Sequence, residues 1–326
     1  MKEGIKIPYV SLPVSPMVYG CGTAPMIAGE DVSEFLDKVY GMGITAFDTA
    51  ENYGKSEISL GRWINSRNLR NRVTVISKGC HPYGRDRVNP EDFRHDIEKS
   101  FEQLKTDYID IYFLHRDDLK VPVGPLVEML NDYHKAGKIG AFGGSNWTPA
   151  RIAEANAYAK AHGLVPFTVS SPNYCLAGKF RDPWGGGAGC VSISGDAGRE
   201  AREFYRREKM PVFAWSSLGN GFFSGRIKSS DPEGAKALLS EGAVKGFYFP
   251  ENFERLKRAE EIAAEKGTST ACIALAYLMS QNFTVFPVVS SGNAERLAGN
   301  LKAADLRLSP AELSYLDLGG SRGIEF

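Results

Sequence analysis

The chain has 326 residues, 24% of them charged, and its 39 basic and 39 acidic side chains cancel. That balance leaves no basic face for a nucleic-acid backbone or an anionic membrane, so a small-molecule partner is expected. The five cysteines (Cys21, Cys80, Cys175, Cys190 and Cys272) are odd in number, widely spaced and never CxxC, which argues against a disulfide framework or a metal site and suits reduced thiols in a cytoplasm.

The opening residues, MKEGIKIPYV, hold no apolar core of a secretory signal. The most apolar helical run, ACIALAYLM from Ala271, falls far short of the roughly 20 residues that span a bilayer. Short β-branched or aromatic runs alternate with amphipathic stretches along most of the chain, the pattern of repeated βα units and a parallel sheet. Strands are predicted over 17–20, 44–47, 73–77, 108–114, 139–143, 167–170, 212–214 and 284–286. After the third strand, Asn89 offers a helix cap, Pro90 takes the first helical position and Glu91 and Asp92 fill the first turn. Phe93, Ile97, Phe101 and Leu104 then follow on one face. Thr148-Pro149 opens a later helix by the same device. One interval, from the sixth strand to the seventh, stands out as long, and Trp184 with Gly185-Gly186-Gly187 makes it read as a large surface loop. No linker or low-complexity tract divides the chain. Residues 1–326 are therefore expected to form one domain, an α/β fold of the (β/α)8 TIM-barrel type with a large loop after strand 6 and C-terminal helices.

Such barrels build their active sites at the C-terminal ends of the strands. The residues there are Gly22-Thr23, Asp48, Lys78, His115, Ser145-Asn146, Ser171, Trp215-Ser216 and Ser290-Ser291. Singly, each has an ordinary reading as a turn former, a solvated lysine or a histidine bonded to a carbonyl. Packing gives no reason for Asp48, Tyr53, Lys78 and His115 to fall together at three consecutive strand ends. No GxSxG, HExxH or Cys/His cluster accompanies them. The triplet His115-Arg116-Asp117 matches a kinase catalytic loop, but Pro122 stands where that loop needs asparagine. A phenol beside an ammonium suits a different task. Tyr53 is expected to have its pKa lowered by Lys78, with Asp48 holding the lysine and neutral His115 donating to a substrate oxygen. That group protonates a carbonyl oxygen while hydride reaches the carbon from a cofactor.

These residues resemble the aldo-keto reductase family over nearly the whole chain. Gly43-Ile-Thr-Ala-Phe-Asp48-Thr-Ala-Glu-Asn-Tyr53-Gly54, with Ser56-Glu57 and Leu60-Gly61 after it, is similar to the family's first signature. Val75-Ile-Ser-Lys78 resembles its lysine strand and Asp107-Tyr-Ile-Asp-Ile-Tyr-Phe-Leu-His115 its histidine strand. The resemblance implies a barrel that reduces aldehydes or ketones with NADPH, with Asp48, Tyr53, Lys78 and His115 catalytic. It also implies a cofactor site. Gly22, Thr23 and Asp48 belong to it, with Ser145, Asn146 and Ser171 at the nicotinamide carboxamide and Trp215 stacked on the ring. Ser216, Ser217, Leu218, Gly219, Gly221, Ser224 and Arg226 follow along the pyrophosphate, and Ser290, Ser291, Gly292, Arg296 and Asn300 hold the adenosine phosphate, where a loop meets a helix N-terminus.

Three positions depart from the family pattern. Ser171 stands where a glutamine is usual, Ser217 where a proline commonly follows the Trp-Ser or Tyr-Ser pair, and Gly292 where a basic residue often meets the 2′-phosphate. Arg296 is then the main cation for that phosphate, and NADP(H) is expected ahead of NAD(H). His81, Tyr83, Arg116, Asp117, Trp147 and the Trp184 loop are expected around the mouth. Arg116-Asp117 points either to a sugar-like carbonyl substrate or to an Arg–Asp surface pair. A competing function, an NADP(H)-binding redox sensor or scaffolding subunit with little turnover, does not require all four reactive residue types. A lyase with Lys78 as Schiff base is disfavoured, because a lysine paired with Asp48 stays protonated.

Overall fold

A computed structural model describes residues 4–178, 181–182 and 189–318. Eight strands pair in parallel and in sequence order: β1 (Val18–Gly20), β2 (Ala46–Asp48), β3 (Thr74–Gly79), β4 (Ile109–Leu114), β5 (Ile139–Ser145), β6 (Val169–Ser171), β7 (Val212–Ala214) and β8 (Val285–Val289). The last returns to the first through Val18↔Val288 and Tyr19↔Val289, which closes the barrel. The chain is thus a (β/α)8 barrel, as the alternation of runs predicts.

Side chains on a strand alternate between its two faces. Here one face of each strand packs a narrow inner core of Val18, Ala46, Ile76, Ile111, Phe113, Ala141, Val169, Phe213, Phe286 and Val288. Ile7 and Val14 join it from the N-terminal arm, where Ile5 bridges Val14 in antiparallel fashion. The opposite face meets the helices in a larger shell. Those helices are α1 (Ala24–Ala28), α2 (Ser33–Gly41), α3 (Ser56–Ser66), α4 (Pro90–Leu104), α5 (Val123–Lys135), α6 (Pro149–Ala161) and α7 (Arg199–Glu208). After β7 come α8 (Pro232–Leu238), α9 (Glu241–Phe247), α10 (Pro250–Glu265) and α11 (Thr270–Met279), and after β8 come α12 (Ala294–Leu301) and α13 (Pro310–Leu318). Asn89 accepts from the Glu91 and Asp92 amides and Thr148 from that of Arg151, so both predicted caps form. Asp317 lies between Arg202 and Arg255 at 3.5 and 3.6 Å, tying α13 to α7 and α10.

Two features differ from the sequence expectation. Several strands run past their predicted ends, so that Asp48, Ser145 and Ser171 are the last residues of β2, β5 and β6 and Lys78 lies inside β3. In a closed barrel every strand has a partner on both sides, and the ladder continues after the apolar run stops: Gly20 pairs with Asp48, Lys78 with Phe113 and Ser145 with Ser171. The second concerns interval lengths. The stretch from β7 to β8 is longer than that from β6 to β7, and it is filled by α8 to α11. After β6, the described residues up to 195 contain no helix or ladder strand, only the bridges from Asn173 to Ser192 and Trp215. Trp184 and Gly185 to Gly187 lie outside the described residues. No described helix is long and apolar enough to cross a membrane, and no disulfide joins the five cysteines.

Glycine has one clear geometric task in the sheet. A Cβ on Gly143 would sit 1.8 Å from the Val169 carbonyl oxygen, so only glycine lets β5 and β6 approach this closely.

Glu57 lies in the first turn of α3 and is fully buried against β3, accepting from Ser77 Oγ at 2.5 Å. Its second carboxyl oxygen has no hydrogen-bond partner. Burial pushes this carboxyl up to about 7, against an ordinary 4.5. A carboxyl raised in the folded state contributes stability that is intact below its unfolded value and is lost as pH rises through its folded value. Wild-type stability should therefore fall between about pH 4.5 and 7 by up to roughly 3 kcal/mol and level off beyond. Glu57→Gln removes that titration, so thermal midpoints at pH 5 and 8 should show the wild type losing ground to the variant as pH rises. A gap that does not change with pH contradicts the assignment.

Candidate active site

The polar site follows from the parity of the strands. Two residues beyond Val18, Ala46, Ile76, Phe113, Ala141, Val169, Phe213 and Val288 come Gly20, Asp48, Lys78, His115, Gly143, Ser171, Trp215 and Ser290. Each is the next inward-facing position of its strand, so one polar layer lies over an apolar floor. Above it opens a cavity of about 610 Å3, lined by Asp48, Tyr53, Lys78, His115, Ser145, Trp215 and Ser290 among others.

Lys78 Nζ donates to Asp48 Oδ1 at 2.6 Å and to the Thr49 carbonyl at 2.8 Å. Lys78 is 2% exposed and Asp48 4%, so the ion pair has almost no water around it. The ammonium lies 5.1 Å from the centre of the Tyr53 ring, and that ring meets His115 edge-on at 5.8 Å between centroids. Tyr53 reaches this place from outside the sheet. Residues 49 to 51 continue beside β3 through Thr49 N to Ile76 O and Glu51 N to Lys78 O, and the chain then reverses at Gly54, whose φ is +58°. A Cβ at Gly54 would lie 2.8 Å from the Ile27 carbonyl oxygen, so the turn is also pressed against α1.

Burial draws the Lys78 ammonium down, and Asp48, with smaller contributions from Tyr53 and Cys21, more than reverses this, so the lysine stays protonated. Burial, Lys78, Arg116 and His81 all disfavour a cation at His115, which lies well below its ordinary value and is neutral; its Nδ1 is buried without a hydrogen-bond partner. Tyr53 corrects the sequence expectation. Burial raises the phenol, Lys78 pulls it down, and the sum remains above the ordinary value. The lysine limits the rise rather than producing a net fall, because the ring sits over a dry cavity floor.

Of the residues expected around the mouth, His81 and Arg116 line the cavity. Tyr83 does not: its side chain is 54% exposed, and its hydroxyl donates to Glu51 Oε2 at 2.8 Å. Trp147 is fully buried under the loop and donates to the Arg116 carbonyl at 3.0 Å. Asp117 turns away to pair with Arg151 at 3.2 Å. Arg116 and Asp117 therefore form no surface pair, and of the two only Arg116 reaches the cavity wall. Asn52, not singled out from sequence, also lines the cavity, and its Oδ1 is buried without a partner. A polar residue in a turn carries no signal of that kind.

The expected cofactor residues form a continuous cleft. Gly22, Asp48, Ser145, Asn146, Trp215, Ser216, Ser217, Leu218, Gly221, Ser224 and Ser290 line the inner cavity. Arg226, Ser291, Gly292, Arg296 and Asn300 line an outer one of about 370 Å3, which shares Leu218, Gly221, Ser224 and Ser290 with the first. Thr23, Ser171 and Gly219 support the cleft without lining it: the Ser171 carbonyl accepts from Ser145 Oγ and the Asn146 amide. After β7 the backbone coils tightly, with positive φ at Ser216, Gly219, Asn220, Gly221 and Gly225. Asn146 also has φ of +62°, and its buried Oδ1 has no partner. A nicotinamide dinucleotide fits these residues. The Asn146 acceptor suits a carboxamide N–H, and the outer cleft holds two arginines and no carboxylate.

The comparisons with known proteins agree with this geometry. The model of the aldo/keto reductase family matches residues 16–318. A probable aryl-alcohol dehydrogenase of Saccharomyces cerevisiae is 27% identical over 307 residues, covering 88% of this chain and 87% of its own length. Norsolorinic acid reductase B of Dothistroma septosporum is 26% identical over 95% of this chain and 79% of its own. An aryl-alcohol dehydrogenase [NADP(+)] of Phanerodontia chrysosporium is 26% identical over 92% of this chain and 77% of its own. With the family model spanning the barrel from β1 to α13, this chain belongs to the aldo/keto reductase family.

Proposed function

We propose that the chain is an NADP(H)-dependent reductase of aldehydes or ketones in which Tyr53 gives the proton. The observation that carries this reading is the dry Lys78 ammonium, held 2.6 Å from Asp48 and 5.1 Å from the Tyr53 ring centre. When bound, NADPH supplies the hydride that adds to the carbonyl carbon. Tyr53 is the only acid this arrangement needs. Its raised value keeps it protonated at neutral pH, and the ammonium stabilises the phenolate left behind. Neutral His115 donates a hydrogen bond to the carbonyl oxygen and competes with nothing as a base. Asp48 keeps Lys78 in position and charged. Gly22, Ser145, Asn146 and Trp215 hold the nicotinamide end, and Arg226 and Arg296 favour a cofactor with an added phosphate. The NADP(+) in the name of the Phanerodontia chrysosporium relative supports the same preference.

The wall formed by His81, Arg116 and Asn52 suits a polar carbonyl compound, sugar-like ones included, although Asp117 no longer contributes to it. Cysteines outside any disulfide fit a cytoplasmic setting.

NADPH consumption with a panel of aldehydes, ketones and oxidised sugars tests the chemistry. Tyr53→Phe and Lys78→Met should each lower kcat by about 10²–10⁴-fold, while NADPH binding, followed by fluorescence, persists. A Tyr53→Phe variant with full turnover sinks the general-acid role. For the cofactor, Arg296→Ala should weaken NADPH about tenfold or more and NADH little, since only NADPH offers a phosphate to the guanidinium. Equal weakening of both removes Arg296 from the 2′-phosphate.

A further inference from the structure

Arg116 follows His115 directly, yet nothing in the catalytic scheme uses it. Its side chain is only 8% exposed and lines the inner cavity. Among the described residues it forms no ion pair, and its one side-chain hydrogen bond runs from Nη1 to the His115 carbonyl at 3.0 Å. The acids that could neutralise it are engaged elsewhere: Asp48 with Lys78, Asp117 with Arg151, and Glu51 with Lys99 and Tyr83. Among the described residues, the charged ones lining the cavity are Asp48, Lys78 and Arg116, which leaves one positive charge without a partner there. A guanidinium withdrawn from water with no counter-ion is costly, and the cost is relieved by whatever anion enters the cavity.

We infer that the substrate is a carbonyl compound that also bears a carboxylate, and that Arg116 is the counter-ion for that carboxylate. The bond from Nη1 to the His115 backbone carbonyl ties the guanidinium to the strand end that carries His115, and both side chains line the same cavity. Arg116 lines the same cavity as Tyr53, His115 and His81, so an anion bound to it shares that cavity with them. A guanidinium offers a planar fork of donors that matches a carboxylate, and charge-assisted pairs of this kind are the strong hydrogen bonds of a desolvated site. This inference rests on the carbonyl-reductase reading and sharpens it from polar substrates to anionic ones.

The test compares 3- and 4-carboxybenzaldehyde with their methyl esters at saturating NADPH, in the wild type, Arg116→Met and Arg116→Lys. In parallel, calorimetry measures benzoate binding to the NADPH-saturated proteins. The wild type should favour each acid over its ester by about tenfold or more in kcat/KM, chiefly through KM. Arg116→Met should bring that ratio to about one or below, Arg116→Lys should restore part of it, and benzoate should bind Arg116→Met about tenfold more weakly. The ratio compares two substrates in one protein, so a general loss of folded enzyme does not imitate the result. Equal use of acid and ester by the wild type, or a preference that survives in Arg116→Met, overturns the inference and leaves the reductase reading standing. If neither acid nor ester turns over, the reductase reading fails instead. The benzoate titration then decides the anion site alone, and binding indifferent to Arg116 overturns it.

Discussion

An inward-facing residue recurs at every second position of a barrel strand, and the whole site depends on that parity. Val18, Ala46, Ile76, Phe113, Val169, Phe213 and Val288 fill the inner positions with hydrocarbon. The next position in the same strands is Gly20, Asp48, Lys78, His115, Ser171, Trp215 and Ser290. The floor excludes water from below, and the helices exclude it from the sides. Any charge placed in the upper layer must therefore find its partner within the layer. Lys78 and Asp48 do so at 2.6 Å. A one-residue slip in either strand would turn one of the two outward and leave the other buried alone, so the ion pair and the register enforce each other.

The same dryness sets the chemistry. It raises the Tyr53 phenol, and under the proposed function it would strengthen the hold of Lys78 on the phenolate left by proton transfer. It also keeps His115 neutral, so under the proposed function the imidazole would donate a hydrogen bond without adding a charge. Where the layer widens toward His81, Asn52 and Arg116, the balance changes. Asn52 Oδ1 has no partner there and Arg116 has no counter-ion among the described residues, whereas Lys78 and Asp48 neutralise each other.

Much of this was legible in the sequence because Asp48, Lys78 and His115 each interrupt an apolar run, and an interrupted run marks a strand's end. Tyr53 was legible only through them, since a tyrosine in a turn says nothing by itself. The fate of adjacent Arg116 and Asp117 was not legible. Their separation depends on Arg151, which lies on α6 and reaches back to Asp117, to Glu154 and to the Val121 carbonyl. No local pattern links those positions. The direction of the Tyr53 pKa was hidden for a related reason: it is the difference between burial and one ammonium, and only packing fixes the burial. Asn52 was missed because its importance lies in an unpartnered oxygen, a property of its surroundings rather than of its residue type.

The central claim is that the Lys78 charge acts on the Tyr53 phenol against burial. Its most direct measurement is the titration of Tyr53 itself, followed by NMR of protein labelled at tyrosine Cζ, with Tyr53→Phe identifying the resonance. The phenol should titrate above the free-tyrosine value of about 10 in the wild type, and higher still in Lys78→Met. A Tyr53 that titrates at the same pH with and without the ammonium, or lower without it, would contradict the account.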